Sequence, residues 1–287
     1  MKTIIIGAGG MLGHALMTTF AQEQPLGWDL AEIDITKADD VMSKISSEKP
    51  ELIINAAAYT NVDKAEEEKD LAFRVNARGV ENLAKAAAKI GATLVHYSTD
   101  YVFGNNKKEG YSEEDVPKNP LNVYGDSKLA GEQEILDYSL LTTHYSLKYY
   151  LIRSSWLFGP DGKNFVQTII NLSKTQPQLK IVNDQWGKPT YTKDLAKATR
   201  KLIDNNYQFG IYHLVNEPAT NWYEFAKEII SLYDNHSQSK IIPVSSEKFP
   251  RPAKRPSYSI LLNSKGPTMR PWKEALAKYI EQLKRNH

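Results

Sequence analysis

Through the first half of the chain, short apolar runs alternate with stretches in which apolar positions recur every three or four residues. Thr3-Ile4-Ile5-Ile6 is β-branched and ends in glycine, the pattern of a central parallel strand covered on both faces. His14 to Phe20 then carries helical periodicity. Pro25-Leu26-Gly27-Trp28 reads as a weak second strand, and Glu51-Leu52-Ile53-Ile54-Asn55 as a third, once Pro50 has stopped the helix before it. From Leu71 to Ile90 the period is helical again, and Gly91 ends it. Thr93 to Ser98 makes a fourth strand and Tyr149 to Arg153 a fifth. Beyond Ser154 the alternation weakens, although Ile211 to Val215 reads as a strand returned to the main sheet or beside it, and Pro271 to Lys284 as a helix. The pattern predicts an α/β chain with a doubly wound parallel sheet over residues 1–153. Residues 154–287 then form mainly a smaller C-terminal lobe, with segments near 190–215 returning to the first domain.

Composition narrows the function classes. The 287 residues carry 36 Lys and Arg against 34 Asp and Glu, a formal +2, so no broad field advertises a nucleic-acid or anionic-membrane partner. There are no cysteines, which excludes disulfides, thiolate metal ligands and a cysteine nucleophile, and suits a reducing compartment. No apolar region precedes a cleavage site, and no run approaches the ~20 apolar residues of a membrane span. These features read as a soluble cytoplasmic protein.

The first strand runs into Gly7-Ala8-Gly9-Gly10-Met11-Leu12-Gly13, spaced G-x-x-G-x-x-G, ahead of a helix. In a Rossmann-like dinucleotide fold Gly7 allows the turn, Gly10 lets backbone approach a pyrophosphate, and Gly13 lets helix pack on strand. A tight turn would need similar residues, but not at this place between a first strand and a helix. No Gly-Lys-Ser/Thr closes the loop, so it is not a P-loop. Asp29 stands where an acidic residue after the second strand accepts ribose hydroxyls, which would favour tolerance of NADH; a plain surface aspartate is the other reading. Thr36 with Asp39 resembles a capping box, and Asp34 either caps or faces adenine. Ala56-Ala57-Ala58-Tyr59-Thr60 supplies small residues at a strand's carboxyl end, suited to close approach of a cofactor or simply to packing. Glu66-Glu67-Glu68 reads as a solvated helix start.

The fourth strand delivers Ser98-Thr99-Asp100-Tyr101-Val102-Phe103, and Asn122-Val123-Tyr124-Gly125-Asp126-Ser127-Lys128 opens the next helix. Between them Gly104 to Pro120 is polar and rich in turn-formers, a loop with room to move over the site. Positions i and i+4 share a helix face, so Tyr124 and Lys128 stand side by side. A tyrosine titrates near ~10, and an ammonium ~5 Å away at an effective dielectric of ~20 contributes ~3 kcal/mol, or ~2 pH units toward phenolate. The arrangement suits reduction of a sugar ketone. Hydride comes from a reduced nicotinamide, Tyr124 donates the proton, Lys128 tunes Tyr124 and holds the nicotinamide ribose, and Thr99 either polarises the carbonyl or caps backbone. The six histidines, His14, His96, His144, His213, His236 and His287, lack paired ligand spacing, and no G-x-S-x-G elbow is present. Past residue 153, Trp156, Phe158, Asn164, Phe165 and Asp184 to Thr190 are turn-rich aromatic and polar segments suited to ligand recognition.

With these motifs, together with Asn55 to Glu66, Arg153-Ser154-Ser155-Trp156, Asp184-Gln185-Trp186-Gly187-Lys188-Pro189-Thr190 and Arg255-Pro256, the chain resembles the extended short-chain dehydrogenase/reductase superfamily. Within it the chain is similar to the dTDP-4-dehydrorhamnose reductase family. That resemblance implies reduction of dTDP-4-dehydro-L-rhamnose to dTDP-L-rhamnose with NADH or NADPH, the last step in building that sugar donor. It implies Thr99, Tyr124 and Lys128 as catalytic residues. Gly7, Gly10, Met11, Leu12, Gly13, Asp29, Asp34, Ile35, Ala56, Ala57, Ala58, Tyr59 and Thr60 then line the cofactor with Tyr124 and Lys128, while Thr99, Asp100, Tyr101 and Trp156 meet a nucleotide sugar.

Two departures from the family pattern stand out. Some members form a homodimer around magnesium through a glutamate early in the first helix, where Ala15 stands here, which leaves magnesium and the dimer open. Trp186 occupies a place usual for smaller aromatics, so the sugar pocket is expected to differ. Tyr101 after Asp100, in place of the glutamate of related dehydratases, argues against dehydration. A reductase of another nucleotide-linked 4-keto sugar, and a non-catalytic regulatory subunit resembling the methionine adenosyltransferase β subunit, are the alternatives.

Overall fold

In the computed structural model, which describes residues 1–104, 106–140, 146–234 and 239–285, the alternating runs become one parallel sheet with helices on both faces. Strand β1 (Thr3–Ile6) leads through the glycine turn into helix α1 (Met11–Thr19), then β2 (Leu26–Trp28), α2 (Ala38–Glu48) and β3 (Leu52–Asn55). Helix α3 (Lys69–Phe73) passes through a π-helical turn, Arg74–Arg78, into α4 (Gly79–Ile90), followed by β4 (Thr93–Thr99), α5 (Val123–Leu140) and β5 (Lys148–Ser154). The chain then builds β6 (Leu157–Phe158), α6 (Phe165–Ser173), β7 (Gln178–Val182), β8 (Trp186–Gly187) and β9 (Thr190–Tyr191). Helix α7 (Thr192–Asp204) and strand β10 (Gly210–His213) follow, then β11 (Thr220–Asn221), α8 (Trp222–Tyr233), β12 (Lys240–Val244) and α9 (Trp272–Arg285). The main sheet runs β10-β5-β4-β3-β1-β2, every neighbouring pair parallel.

Period-two geometry explains why the strands read as unbroken apolar runs. Ile4, Ile6, Ile53 and Leu94 pack on one face against Val41, Leu83 and Ile135 of the helices there, while Ile5, Leu52, Ile54 and Val95 pack on the other against Leu16 of α1 and Leu195 and Leu202 of α7. Helix α7 thus covers one face beside α1, and β10 extends the sheet next to β5, so both come back from the C-terminal half. A third core of Phe158, Ile169, Phe225, Trp272 and Tyr279 holds α6, α8 and α9 together. Strand β1 pairs with β2 on one side and β3 on the other, so the chain reverses direction across the sheet here and leaves a crevice at the strands' carboxyl ends. Among the described residues no helix is long and apolar enough to cross a membrane.

Three local expectations are corrected. Thr36 does not cap α2: its hydroxyl and amide both turn back to Asp34 Oδ1, at 2.7 and 3.1 Å, and Lys37 takes the cap position without a side-chain bond. Asp34 closes a local turn more cheaply than Thr36 reaches forward. The acidic run is more than a solvated start. Glu66 Oε1 accepts from the Val123 amide, the first of α5, at 2.9 Å, and Glu68 accepts from the Tyr59 hydroxyl. The segment from Gly104 to Pro120, of which Asn105 lies outside the described residues, is anchored rather than loose over the crevice. Tyr111 stacks on Phe103 with centroids 4.1 Å apart, and the buried Glu113 accepts from the amides of His213 and Ser264. His144, His236 and His287 also lie outside the described residues.

Candidate active site

At the carboxyl ends of β1, β3, β4 and β5 the crevice opens into a cleft of about 860 Å³. One end is built by the glycine turn. Gly7 has φ +79°, and a Cβ there would meet the Ala57 backbone at 2.6 Å; at Gly13 it would sit 2.0 Å from the Gly7 carbonyl oxygen. The turn therefore delivers the first amides of α1 to the cleft, with Gly10, Met11, Leu12 and Gly13 lining it. No side chain caps this helix and its first turn holds no acidic residue, so its positive end is open to an anion. Asp29 follows β2 directly and lines the same end; one carboxylate oxygen accepts from the Gly9 amide at 2.9 Å, which leaves the other for a ligand hydroxyl. Asp34, Ile35, Ala56, Ala57, Ala58 and Thr60 complete the wall.

Tyr59 does not line the cleft. Its hydroxyl donates to Glu68 Oε2 at 2.7 Å, and its backbone N–H and C=O are held by the buried Asn76, whose amide also reaches Ser127 Oγ at 3.0 Å. Asn76 sits in the π-helical turn, the widened geometry that aims it inward. A polar residue on the apolar side of the Leu71 to Ile90 stretch was the available signal for it.

The other end holds the titratable groups. Thr99 closes β4; its hydroxyl accepts from the Tyr101 amide at 3.2 Å and donates to Asp100 Oδ1 at 3.0 Å, so it both caps backbone and lines the cleft. Tyr124 and Lys128, one turn apart on α5, line it beside Asp100 and Tyr101, and the Tyr101 ring stands edge-on to Tyr124 with centroids 6.1 Å apart. Burial pushes the Tyr124 phenol up to about 12, with Thr99 opposing the rise and Asp100 adding to it. Burial likewise brings Lys128 down to about 8, against the pull of Glu132. The expected lowering of Tyr124 by Lys128 is not found: the phenol rises, and Lys128 Nζ is engaged elsewhere, donating to the Tyr97 carbonyl at 2.6 Å and lying 3.2 Å from His96 Nε2. Shared helix face does not fix where a long side chain ends.

Asp100, 2 % exposed, accepts from Ser259 and Thr99, and burial pushes its carboxyl up to about 7. Trp156 takes φ +48°, a conformation bulky residues rarely adopt, and its ring stacks on Trp222 at 3.6 Å; both rings line the cleft. Trp222 went unnoticed in the sequence, since it opens a helix far from Trp156 in the chain. Trp186, expected to reshape the sugar pocket, is not in this wall. Ser154 Oγ, buried without a hydrogen-bond partner, is. An orphaned hydroxyl, an uncapped helix end and a carboxylate with one oxygen to spare fit a dinucleotide, phosphates at α1 and nicotinamide toward Tyr124.

Residues 1–285 match the family model of the RmlD substrate binding domain. The chain belongs to this family. Among its RmlD-type relatives, the dTDP-4-dehydrorhamnose reductase of Aggregatibacter actinomycetemcomitans is 40 % identical over 275 residues, 91 % of this chain and 90 % of that protein. The crystal structure of a dTDP-4-dehydrorhamnose reductase from Clostridium acetobutylicum superposes with a TM-score of 0.91 at 42 % identity, covering 99 % of this chain and all of that one. The dTDP-4-dehydrorhamnose reductase of Bacillus anthracis, solved in complex with NADP, gives 0.90 at 40 % identity, covering 98 % and 100 %. These relatives carry the name of the family that the sequence motifs resemble.

Proposed function

We propose that this chain reduces dTDP-4-dehydro-L-rhamnose to dTDP-L-rhamnose with NADPH or NADH. The observation that carries the reading is that Thr99, Tyr124 and Lys128 meet at one end of a cleft whose other end is an uncapped helix N-terminus beside Asp29. In this reading α1 holds the pyrophosphate and Asp29 the adenosine ribose, where a carboxylate favours a ribose with a free 2′-hydroxyl. Residues 1–153 with α7 and β10 serve the cofactor, and the remainder of 154–287 shapes the sugar-nucleotide side, with Trp156 and Trp222 as its flat wall.

A bound reduced nicotinamide supplies the hydride. The Tyr124 phenol points its hydrogen at the ketone oxygen and gives up its proton as negative charge develops there, with Thr99 Oγ, whose own hydrogen goes to Asp100 Oδ1, beside it in the cleft wall. A phenol held near 12 arrives protonated at neutral pH, the state that a donor requires. Lys128 reaches the nicotinamide ribose, and Asp100 fixes the Thr99 hydroxyl.

The test follows oxidation of NADPH and of NADH with dTDP-4-dehydro-L-rhamnose, for the native chain and for Tyr124→Phe. Turnover with both coenzymes, and a fall in kcat of at least ~100-fold in the variant with coenzyme affinity kept, is expected. Undiminished turnover removes Tyr124 from the mechanism.

A further inference from the structure

Trp156 is held in a backbone conformation that a bulky side chain does not choose for itself, its φ of +48° lying in the left-handed region where Cβ crowds the carbonyl oxygen. The Lys188–Thr190 segment pins the chain on either side of the ring. Ser155 Oγ donates to the Lys188 carbonyl at 2.7 Å, and the Thr190 N–H donates to the Trp156 carbonyl at 3.2 Å. The indole itself is seated by two residues. Trp222 stacks on it with centroids 3.6 Å apart and planes 12° from parallel. Gly187 lies against it too: a Cβ there would meet Cε2, Cζ2 and Nε1 of the indole at 2.6, 2.7 and 2.9 Å. A ring stacked on Trp222, which is itself backed by Phe165 at 4.6 Å, has little room to yield. Both supports come from one small ladder. Strand β8 pairs antiparallel with β11, Gly187 opposite Thr220 and Trp186 opposite Asn221, and Trp222 is the next residue, the first of α8. Asn221 fixes that start by accepting from the Glu224 amide at 2.9 Å.

We propose that Gly187 and Trp222 are positioning residues that seat the Trp156 indole as the sugar-side wall of the cleft, and thereby set how tightly a nucleotide-linked keto sugar is held. A part in the lobe's core alone would leave the backbone relaxed and both rings covered. Instead Trp156 is strained, and both rings are half-buried and line the cleft. Gly187 is buried and outside that wall, so it acts on a ligand only through Trp156. The Asp184 to Thr190 motif thus serves the site by its glycine, where no side chain fits, rather than by Trp186. A flat aromatic face fixed beforehand offers a sugar's C–H groups contact at little ordering cost, and a displacement of about 1 Å forfeits it. That a sugar lies on the indole rests on the reductase reading; the seating of the ring does not.

The experiment has two arms. The ligand-free protein is labelled with 5-fluorotryptophan and its indoles, Trp28, Trp156, Trp186, Trp222 and Trp272, are followed by fluorine-19 NMR, with the Trp156 line assigned from Trp156→Phe. That line is expected to move in Trp222→Leu and in Gly187→Ala, and to return toward its native place in Trp222→Phe, which restores an aromatic face. In steady-state reduction of dTDP-4-dehydro-L-rhamnose, Trp222→Leu and Gly187→Ala are each expected to raise the KM for the sugar about tenfold, or ~1.4 kcal/mol, while the KM for NADPH stays native. Because Gly187 acts through one ring, adding Gly187→Ala to Trp156→Leu changes the sugar KM by less than about twofold. A Trp156 line unmoved by both substitutions, a coenzyme KM that rises with that of the sugar, or additive effects of Gly187→Ala and Trp156→Leu overturns the proposal. A native chain that turns over no sugar while the Trp156 line moves as expected overturns the reductase reading, and with it the sugar half of the proposal, and upholds the seating of the ring. Should Trp222→Leu not fold, Gly187→Ala carries both arms.

Discussion

Asp100 shows how a single buried group makes stability depend on pH. An aspartate in an unfolded chain titrates near ~3.9, while burial raises Asp100 to about 7, with the Ser259 and Thr99 hydroxyls only partly offsetting it. Between those values the folded state keeps a proton that the unfolded chain releases. The associated stabilisation is therefore complete below ~3.9 and lost as pH rises through about 7. Asp100→Asn cannot ionise and escapes that loss. Thermal melts of the variant and the native chain are expected to shift in the variant's favour by on the order of 5 °C between acidic and mildly alkaline buffer. A constant difference contradicts the assignment. The side chains of the cleft were largely legible as candidates, because Thr99, Tyr124, Lys128, Asp29 and the glycines carry their chemistry in their identity and order. Their electrostatics were not. Whether Lys128 faces Tyr124 or the Tyr97 carbonyl depends on β4, a strand ~30 residues away in the chain.

At the scale of elements, the site helix α5 is tied down from the segment just after β3. Glu66 receives the Val123 amide at its N-terminus, and Asn76 joins Ser127 of α5 to the Tyr59 backbone. Removing Asn76 leaves half-buried backbone groups of Tyr59 without those partners. Asn76→Ala is expected to lose about 1–3 kcal/mol in urea unfolding and to raise the KM for coenzyme, because Ala58 and Thr60 on either side line the cleft. Unchanged stability would show those groups re-paired. Elements with a strong period, β1, β3, β4, β5 and the helix ending at Gly91, could be read from the chain. The π-turn could not, since its hydrophobic spacing passes for ordinary helix. Neither could the true bond of Thr36, where a capping box and a local Asp34 turn share the same residue types.

For the molecule as a whole, one edge of the main sheet and one helical cover come from the second half of the chain, so the sheet and the lobe of α6, α8 and α9 are threaded through each other. The return of a strand near residue 211 was visible as an apolar run; the packing of α7 on α1 was not, because amphipathic pattern names a buried face but not its partner. The cleft lies where these parts meet, with Met11 of α1 against Gly162 and the Trp156–Trp222 pair lining it together with Tyr124. The most direct measurement of what this arrangement does is the fate of the hydride. Coenzyme carrying deuterium at nicotinamide C4 is incubated with the protein and dTDP-4-dehydro-L-rhamnose, and the sugar is analysed by mass spectrometry and NMR. The expected product is dTDP-L-rhamnose with deuterium at C4. Product without the label, or tight coenzyme binding with no reduction of any nucleotide-linked 4-keto sugar, would contradict it.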